Sequence, residues 1–112
     1  MPVFQVNTNV SIADKDGFLA DVSSFVASRL GKPESYVMIQ VSDNQTMSFA
    51  GTSAPLAFCE LKSLGLNSSQ TKELSQQLCD FFSTKLGIEP SRIYIEFSSP
   101  ERSMFGWNGG VF

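Results

Sequence analysis

The residue with the most distinctive chemistry in this sequence is Pro2. When Met1 is removed, which is usual before a small residue such as proline, the nitrogen of Pro2 changes from a non-basic amide into a secondary amine. An α-amino group has a pKa of about 7.7–8.0. An apolar pocket or a nearby cation such as Lys32 lowers that pKa toward neutral pH, where a general base works best. A chain without histidine can therefore still possess a base.

The composition excludes several other chemistries. Because the chain has no histidine, it can form neither a Ser-His-Asp nor a Cys-His arrangement, nor a histidine-ligated metal site. Cys59 and Cys79 are its only cysteines and are too few for a Cys-only zinc site, so we expect no metal and no cofactor. Eleven acidic residues against eight scattered basic ones give a net charge of −3. With this charge distribution the chain has no basic patch that could bind a phosphate backbone, and we expect no nucleic-acid partner.

Length and hydropathy indicate one folded domain spanning residues 1–112. A chain of 112 residues falls within the typical size of about 150 residues per domain, and 42% hydrophobic against 17% charged residues suits a packed core.

No apolar run approaches the ~20 residues of a spanning helix, so we expect no membrane partner. The N-terminus turns polar at Gln5 and Asn7, unlike a signal peptide. We therefore expect a cytoplasmic protein, with secretion by a signal-independent route as the alternative.

Apolar spacing predicts two helices, over Gly17–Leu30 and Ser69–Leu86. Each is followed by a stop signal, Gly31 with Pro33 for the first and Gly87 for the second. Runs rich in β-branched and aromatic residues predict four main strands, with a short fifth in the aromatic tail. The four are Val3–Thr8, Tyr36–Ser42, Leu56–Leu64 and Ile93–Ser98.

The two halves of the chain resemble each other. Arg29–Pro33 leads into the strand at Tyr36 much as Lys85–Pro90 leads into the strand at Ile93. We therefore predict an α+β fold, a two-layer α/β sandwich built from tandem βαβ units with right-handed crossovers. In it, a four-stranded mixed sheet carries both helices on one face.

The other face of that sheet is expected to be covered. The strand Tyr36–Val41 lacks the clean polar alternation that a half-solvated sheet requires. We predict that another subunit covers much of this face. A monomer with a few exposed apolar residues is the alternative, since such residues are common.

Segments along nearly the whole chain, in order and with few gaps, match one known family. They are Met1–Val10, Asp16–Leu19, Gly31–Pro33 with Tyr36, Met47–Ser53, Pro55 with Ala57 and Cys59, Ser63–Gly65, Arg92–Ile95 and Gly106–Asn108. Together they resemble the macrophage migration inhibitory factor and D-dopachrome tautomerase family, part of the tautomerase superfamily.

This resemblance implies a homotrimeric barrel whose sheets surround a central channel, with active sites between neighbouring subunits. It implies keto–enol tautomerisation of aromatic 2-oxo acids such as phenylpyruvate, with no cofactor. In this family the amino-terminal proline is the catalytic base, so Pro2 is expected to move the proton between carbon and oxygen.

The resemblance also implies the substrate contacts. Lys32, in the Gly-Lys-Pro segment, is expected to bind the substrate carboxylate, a contact worth about 1.5–3 kcal/mol; the alternative is a solvated lysine beyond a helix end. Ser63 and Leu64 match the pocket floor, where a backbone N–H bonds the substrate. Tyr94 of the neighbouring subunit is expected to form a wall. The aromatic mouth of the site is expected to consist of Tyr36, Phe105, Trp107 and Phe112. The alternative is that these aromatic residues serve only to pack the core or the trimer contact.

Three positions depart from the family pattern. Glu96 stands where well-known members carry an asparagine that contacts a substrate's phenolic hydroxyl; a carboxylate could accept the same hydrogen bond or repel charged substrates. Phe105 is bulkier than the usual valine, which narrows the mouth. Leu56 replaces the first cysteine of the thiol pair, so we expect no thiol-disulfide activity and interpret Cys59 and Cys79 as small apolar residues.

Two other functions remain open. Animal relatives act as cytokines, so the fold could serve recognition of a protein receptor with catalysis vestigial. Decarboxylation or dehalogenation, found elsewhere in the superfamily, typically needs additional arginines at the site. Here Arg29 and Arg92 flank the ends of predicted elements and Arg102 lies in a predicted loop, so we expect none of them at the site.

Overall fold

The computed structural model describes all residues, Met1–Phe112. Its elements, in chain order, are β1 Val3–Thr8, α1 Lys15–Leu30, β2 Met38–Ser42, β3 Ala57–Lys62, α2 Ser68–Leu86, β4 Ile93–Ser98, β5 Gly106–Trp107 and β6 Gly110–Val111. Three single 3₁₀ turns cover Glu34–Tyr36, Pro90–Arg92 and Arg102–Met104. Neither α-helix is long and apolar enough to cross a membrane.

The strand order β2-β1-β3-β4 shows the internal duplication directly. β2 pairs parallel with β1, and β4 pairs parallel with β3. The two central strands, β1 and β3, run antiparallel. A parallel pair with its crossover helix therefore occurs twice about a pseudo-twofold axis, which confirms the predicted α+β fold with a mixed sheet.

Local capping decides where the helices begin and end. The side chain of Asp14 accepts a hydrogen bond from the Gly17 amide at 3.0 Å, so α1 begins at Lys15 rather than at the predicted Gly17. Asn67 heads a reciprocal capping box, so α2 begins at Ser68 instead of Ser69. Both helices end as predicted, at glycines with φ of 62° and 68°, the left-handed conformation that glycine adopts without strain.

Two predicted strands are shorter in the structure. β2 begins at Met38 rather than Tyr36, because Glu34–Tyr36 closes a 3₁₀ turn after Pro33. β3 covers Ala57–Lys62 and not the full range Leu56–Leu64. The strand Ile93–Ser98 is confirmed, and the tail forms a two-stranded hairpin apart from the main sheet.

The core lies between one face of the sheet and both helices. Phe82 of α2 is fully buried, and its ring centroid lies 5.8 Å from that of Phe4 on β1 and 6.1 Å from that of Phe18 on α1. Cys59 is also fully buried on β3, and this burial, with a smaller contribution from Cys79, raises the pKa of its thiol to about 12. Cys59 therefore packs as an apolar residue and stays protonated.

The opposite face of the sheet has no helix against it. Its middle row places Gln40, Gln5, Glu60 and Glu96 side by side across the four strands. Met38 and Tyr94 on this face are 65% and 64% exposed, more than large apolar side chains usually are. That another subunit covers this face stays a prediction.

We expect Phe82→Ala to lower the free energy of unfolding by about 3–5 kcal/mol, because it removes a buried ring and leaves a cavity between the sheet and both helices. Urea denaturation measures the change. The control Gln76→Ala, on the exposed face of α2, is expected to change it by no more than about 0.5 kcal/mol. Similar losses in both variants would contradict this packing.

Candidate active site

A cavity of about 390 Å³ opens at the N-terminal end of β1. Its walls come from the chain start, the segment after α1, the turn after β3 and the C-terminal tail. The lining residues are Met1, Pro2, Lys32, Pro33, Tyr36, Leu64, Gly65, Arg102 and Phe112. None of them is acidic.

Sheet pairing holds Pro2 at this cavity. The carbonyl of Pro2 accepts a hydrogen bond from the Met38 amide at 3.0 Å, which extends the parallel β1–β2 ladder by one bond. The Pro2 side chain is fully buried, whereas Met1 is only half-buried. While Met1 is attached, the Pro2 nitrogen is an amide and carries no basic lone pair.

The cavity disfavours a positive charge at the start of the chain. The pKa of the Met1 amino group is lowered, first by burial and then by the charges of Lys32 and Arg102. Burial removes hydrating water from the ammonium form, and like charges repel it. An amine placed here is therefore more often neutral than one in free solution.

Lys32 reaches the cavity because α1 ends abruptly. Gly31 takes the left-handed conformation, and the Lys32 amide donates to the Ala27 carbonyl at 3.0 Å. The ion pairs of the chain are Lys15 with Asp43 and Lys85 with Asp21, so the Lys32 ammonium has no carboxylate partner. It is available for an anion in the cavity.

Of the two residues predicted to form the floor of the cavity, only one faces it. Leu64 lines the cavity, and its amide donates to no acceptor in the chain. Ser63 is buried behind it, and its amide donates to the Ser98 carbonyl at 3.0 Å. Of the two predicted floor residues, only Leu64 therefore has a free backbone N–H; that this group bonds the substrate stays a prediction.

The predicted aromatic mouth forms one connected cluster. Tyr36 and Phe112 line the cavity. Trp107 meets Tyr36 edge-on at 5.9 Å and stacks on Phe112 at 5.7 Å. Phe105 contacts Phe112 at 5.9 Å. The tail folds back because Asn108 and Gly109, at φ of 51° and 77°, make the tight turn typical of a two-residue hairpin.

Tyr94 and Glu96 lie elsewhere in the chain, on the uncovered face of β4. The Tyr94 ring packs on Phe49 at 4.8 Å, and the Arg92 guanidinium lies 5.3 Å from the Phe49 ring centroid. Arg92 also donates to the carbonyls of Phe49, Thr52, Ala54 and Pro55 at 3.0–3.2 Å. This anchored segment supports Tyr94 away from its own chain's cavity.

Arg102 is the residue that sequence reasoning missed. It begins the 3₁₀ turn Arg102–Met104 and lines the cavity, where its Nε donates to a main-chain oxygen of Phe112, the last residue, at 3.2 Å. The expectation that no arginine lies at the site is wrong. The sequence did contain one indication of this placement. Arg102 stands three residues before Phe105, in the tail that was already expected to form the aromatic mouth.

No cluster of three or more cysteine, aspartate or glutamate side chains with metal-binding geometry occurs in the chain. Because no aspartate or glutamate side chain lines the cavity, the cavity is suited to bind an organic anion and to hold a neutral amine beside it.

Comparisons with known proteins agree with this geometry. The sequence profile described as "Macrophage migration inhibitory factor (MIF)" matches residues 1–112. The macrophage migration inhibitory factor of Rattus norvegicus is 40% identical over 114 residues, covering 100% of this chain and 99% of the relative. The structure of the same factor from Trichinella spiralis has a TM-score of 0.92 at 38% identity, covering 98% and 99% of the two chains. The homologue from Prochlorococcus marinus also has a TM-score of 0.92 at 38% identity, covering 98% of each chain.

We expect Lys32→Ala to raise the pKa of the N-terminal amine, because removal of a like charge favours the protonated form. The titration curve, followed by NMR of the first residue, should move to higher pH. The control Lys72→Ala removes an exposed lysine on α2, outside the cavity, and should leave the curve in place. An unmoved curve in Lys32→Ala would show that this ammonium is not coupled to the amine.

Proposed function

The chain belongs to the macrophage migration inhibitory factor family of the tautomerase superfamily, and from this premise we propose that it is a keto–enol tautomerase of phenylpyruvate-like aromatic 2-oxo acids. The single observation that carries the proposal is the cavity in which Pro2 lies with Lys32 and without any acidic residue. Removal of Met1 converts Pro2 into the base.

The reaction needs one group that takes a proton and returns it. The neutral Pro2 amine accepts the proton from C3 of the keto form as the C3–H bond breaks, and the electrons move into the C2–C3 bond and onto the C2 oxygen. A proton delivered to that oxygen completes the enol, so the step is an isomerisation without redox change. Burial and the charges of Lys32 and Arg102 lower the pKa of the Met1 amine at this end of the chain, and the same influences on the Pro2 amine would favour the unprotonated form that a base needs.

The substrate carboxylate pairs with Lys32, which has no partner of its own. The free Leu64 amide supplies a second donor on the floor. Hydrogen bonds to a charged group are shorter and stronger than neutral ones, so these two donors fix the acid end of the substrate. The aryl ring then lies against Tyr36 and Phe112, where offset or edge-on aromatic contacts are favourable.

We infer a homotrimer in which each uncovered sheet face meets its neighbours. The exposed Met38 and Tyr94 are then buried and contribute apolar area to the subunit contact. In such an assembly Tyr94 and Glu96 extend from one subunit toward the cavity of the next. This arrangement accounts for two predicted site residues that lie outside their own chain's cavity.

We expect Pro2→Gly to lower kcat/KM for phenylpyruvate by about 100-fold, because the primary amine of glycine lacks the buried ring that fixes the position of the Pro2 nitrogen. The control Pro90→Gly changes an exposed proline outside the cavity and should retain the wild-type rate. Intact mass must confirm Met1 removal in every sample, since retained Met1 leaves no base. Equal rates for Pro2→Gly and wild type would contradict the assignment and favour receptor recognition as the role of the pocket.

We expect Glu96→Asn to raise the preference for 4-hydroxyphenylpyruvate over phenylpyruvate by about 2- to 10-fold, the worth of one net hydrogen bond. An amide can donate to the phenolic oxygen and removes the repulsion of a carboxylate. The control is Glu60→Gln, on the neighbouring inner strand of the same row, which should not alter the preference. An unchanged preference in Glu96→Asn would show that Glu96 points away from the substrate.

A further inference from the structure

We propose that Arg92 is a positioning residue for the active site, because it fixes Phe49 against Tyr94, the side chain that extends toward the neighbouring subunit's cavity in the inferred trimer. The catalytic part of this inference rests on the proposed function. The placement of the Tyr94 ring is a property of the chain itself and can be measured without turnover. The resemblance assigned no role to Arg92 or to Phe49.

The segment that carries Phe49 joins β2 to β3 and has little hydrophobic anchoring of its own. It covers residues 43–56, and Leu56 at its end is its only buried residue. Asn9 bonds the main chain only at the end of the segment near β3. Arg92 is the only residue outside the segment that bonds the main chain of Phe49. The position of Phe49 therefore depends on Arg92.

Arg92 uses its whole guanidinium on this one segment. It donates to the carbonyls of Phe49 and Thr52 at 3.1 and 3.2 Å. It also donates to the carbonyls of Ala54 and Pro55 at 3.1 and 3.0 Å. Nε and both terminal nitrogens take part in these bonds. Because hydrogen bonds from a charged donor are stronger than neutral ones, the set holds the segment firmly against the start of β4.

The tip of the segment is a tight turn that needs such support. Phe49 and Thr52 exchange two main-chain hydrogen bonds, at 2.9 and 3.1 Å, around Ala50 and Gly51 with φ of 53° and 77°. A left-handed conformation is unfavourable for alanine, and it persists where surrounding contacts over-determine it. Arg92 supplies contacts of this kind, since it binds the carbonyls on both sides of the turn.

The side chains continue this support to Tyr94. The Arg92 guanidinium lies 5.3 Å from the Phe49 ring centroid, and the Phe49 and Tyr94 ring centroids lie 4.8 Å apart. Tyr94 is otherwise largely exposed in its own chain, so Phe49 is the aromatic contact that restrains its ring. A ring that is already oriented loses less freedom when a substrate binds against it. Arg92 therefore acts on the site through Phe49 and Tyr94.

The placement of the ring can be measured directly, because Tyr36 and Tyr94 are the only tyrosines of the chain. Labelling with 3-fluorotyrosine gives two ¹⁹F resonances, which Tyr36→Phe and Tyr94→Phe assign. We expect Arg92→Lys to shift or broaden the Tyr94 resonance and to leave the Tyr36 resonance in place. Lysine keeps the positive charge but lacks the planar fork that reaches several carbonyls at once.

A second variant separates the ring contact from the anchoring of the segment. Phe49→Leu keeps the main-chain carbonyl that Arg92 binds but removes the aromatic ring, and we expect it to move the Tyr94 resonance as well. The control Arg29→Lys changes an arginine that lies over Phe25 at 4.8 Å, away from this segment. It should leave both resonances unchanged.

The catalytic part is measured as the preference for phenylpyruvate over 4-methyl-2-oxopentanoate, an alkyl 2-oxo acid with the same reacting atoms. Exchange of the C3 protons in D2O, followed by NMR, gives kcat/KM for both. We expect Arg92→Lys to lower this preference by about 2- to 10-fold, the worth of one aromatic contact. In a Tyr94→Ala background the same substitution should lower it no further, because residues that act through one another are non-additive.

Three results would overturn the proposal. An unmoved Tyr94 resonance in Arg92→Lys and Phe49→Leu would show that neither residue orients the ring. The same loss of preference with and without Tyr94 would show that Arg92 acts by another route. Equal losses of rate for both substrates would show that Arg92 only stabilises the fold. Failure of the proposed function is seen separately, in the rate of Pro2→Gly, and the fluorine resonances test the placement of Tyr94 in either case.

Discussion

The proposed chemistry depends on the free energy of a positive charge on the first nitrogen of the chain. Burial withdraws water from that nitrogen, and Lys32 and Arg102 repel its protonated form. Both effects act in the same direction, so an amine at this place is more often neutral than one in free solution. The same two cations attract the anionic substrate, and one charge distribution therefore serves both binding and proton transfer.

The fold brings the groups of this site together from distant parts of the chain. The bond from the Met38 amide to the Pro2 carbonyl and the complete burial of the Pro2 side chain fix the chain start against the sheet. The αL turn at Gly31 brings Lys32 to the same place, and the Asn108–Gly109 turn returns the aromatic tail to it. Three local conformations thus determine the site, although their residues are far apart in sequence.

The sequence predicted most of what depends on local signals. The helix ends at Gly31 and Gly87 and the strand Ile93–Ser98 were correct, since glycine stops and β-branched runs act over a few residues. The start of β2 was wrong because the turn at Glu34–Tyr36 has no distinctive residue pattern.

At the site, the resemblance named Pro2, Lys32, Leu64, Tyr36 and Phe112, and the structure brings all five to one cavity. The sequence did not distinguish Ser63 from Leu64 on the floor, because the Ser63 amide is used by Ser98, a partner distant in sequence. Arg102 was missed because its approach depends on the tail folding back, which is a tertiary contact without a local signal.

Duplication of the βαβ unit did not duplicate the reactive centre. β3 is the counterpart of β1 in the second parallel pair, but the chain continues before its first residue, Ala57. The segment before it is held by Arg92, which donates to four of its backbone carbonyls. An internal peptide nitrogen carries no basic lone pair, so only the first of the two βαβ units can supply a base of this kind.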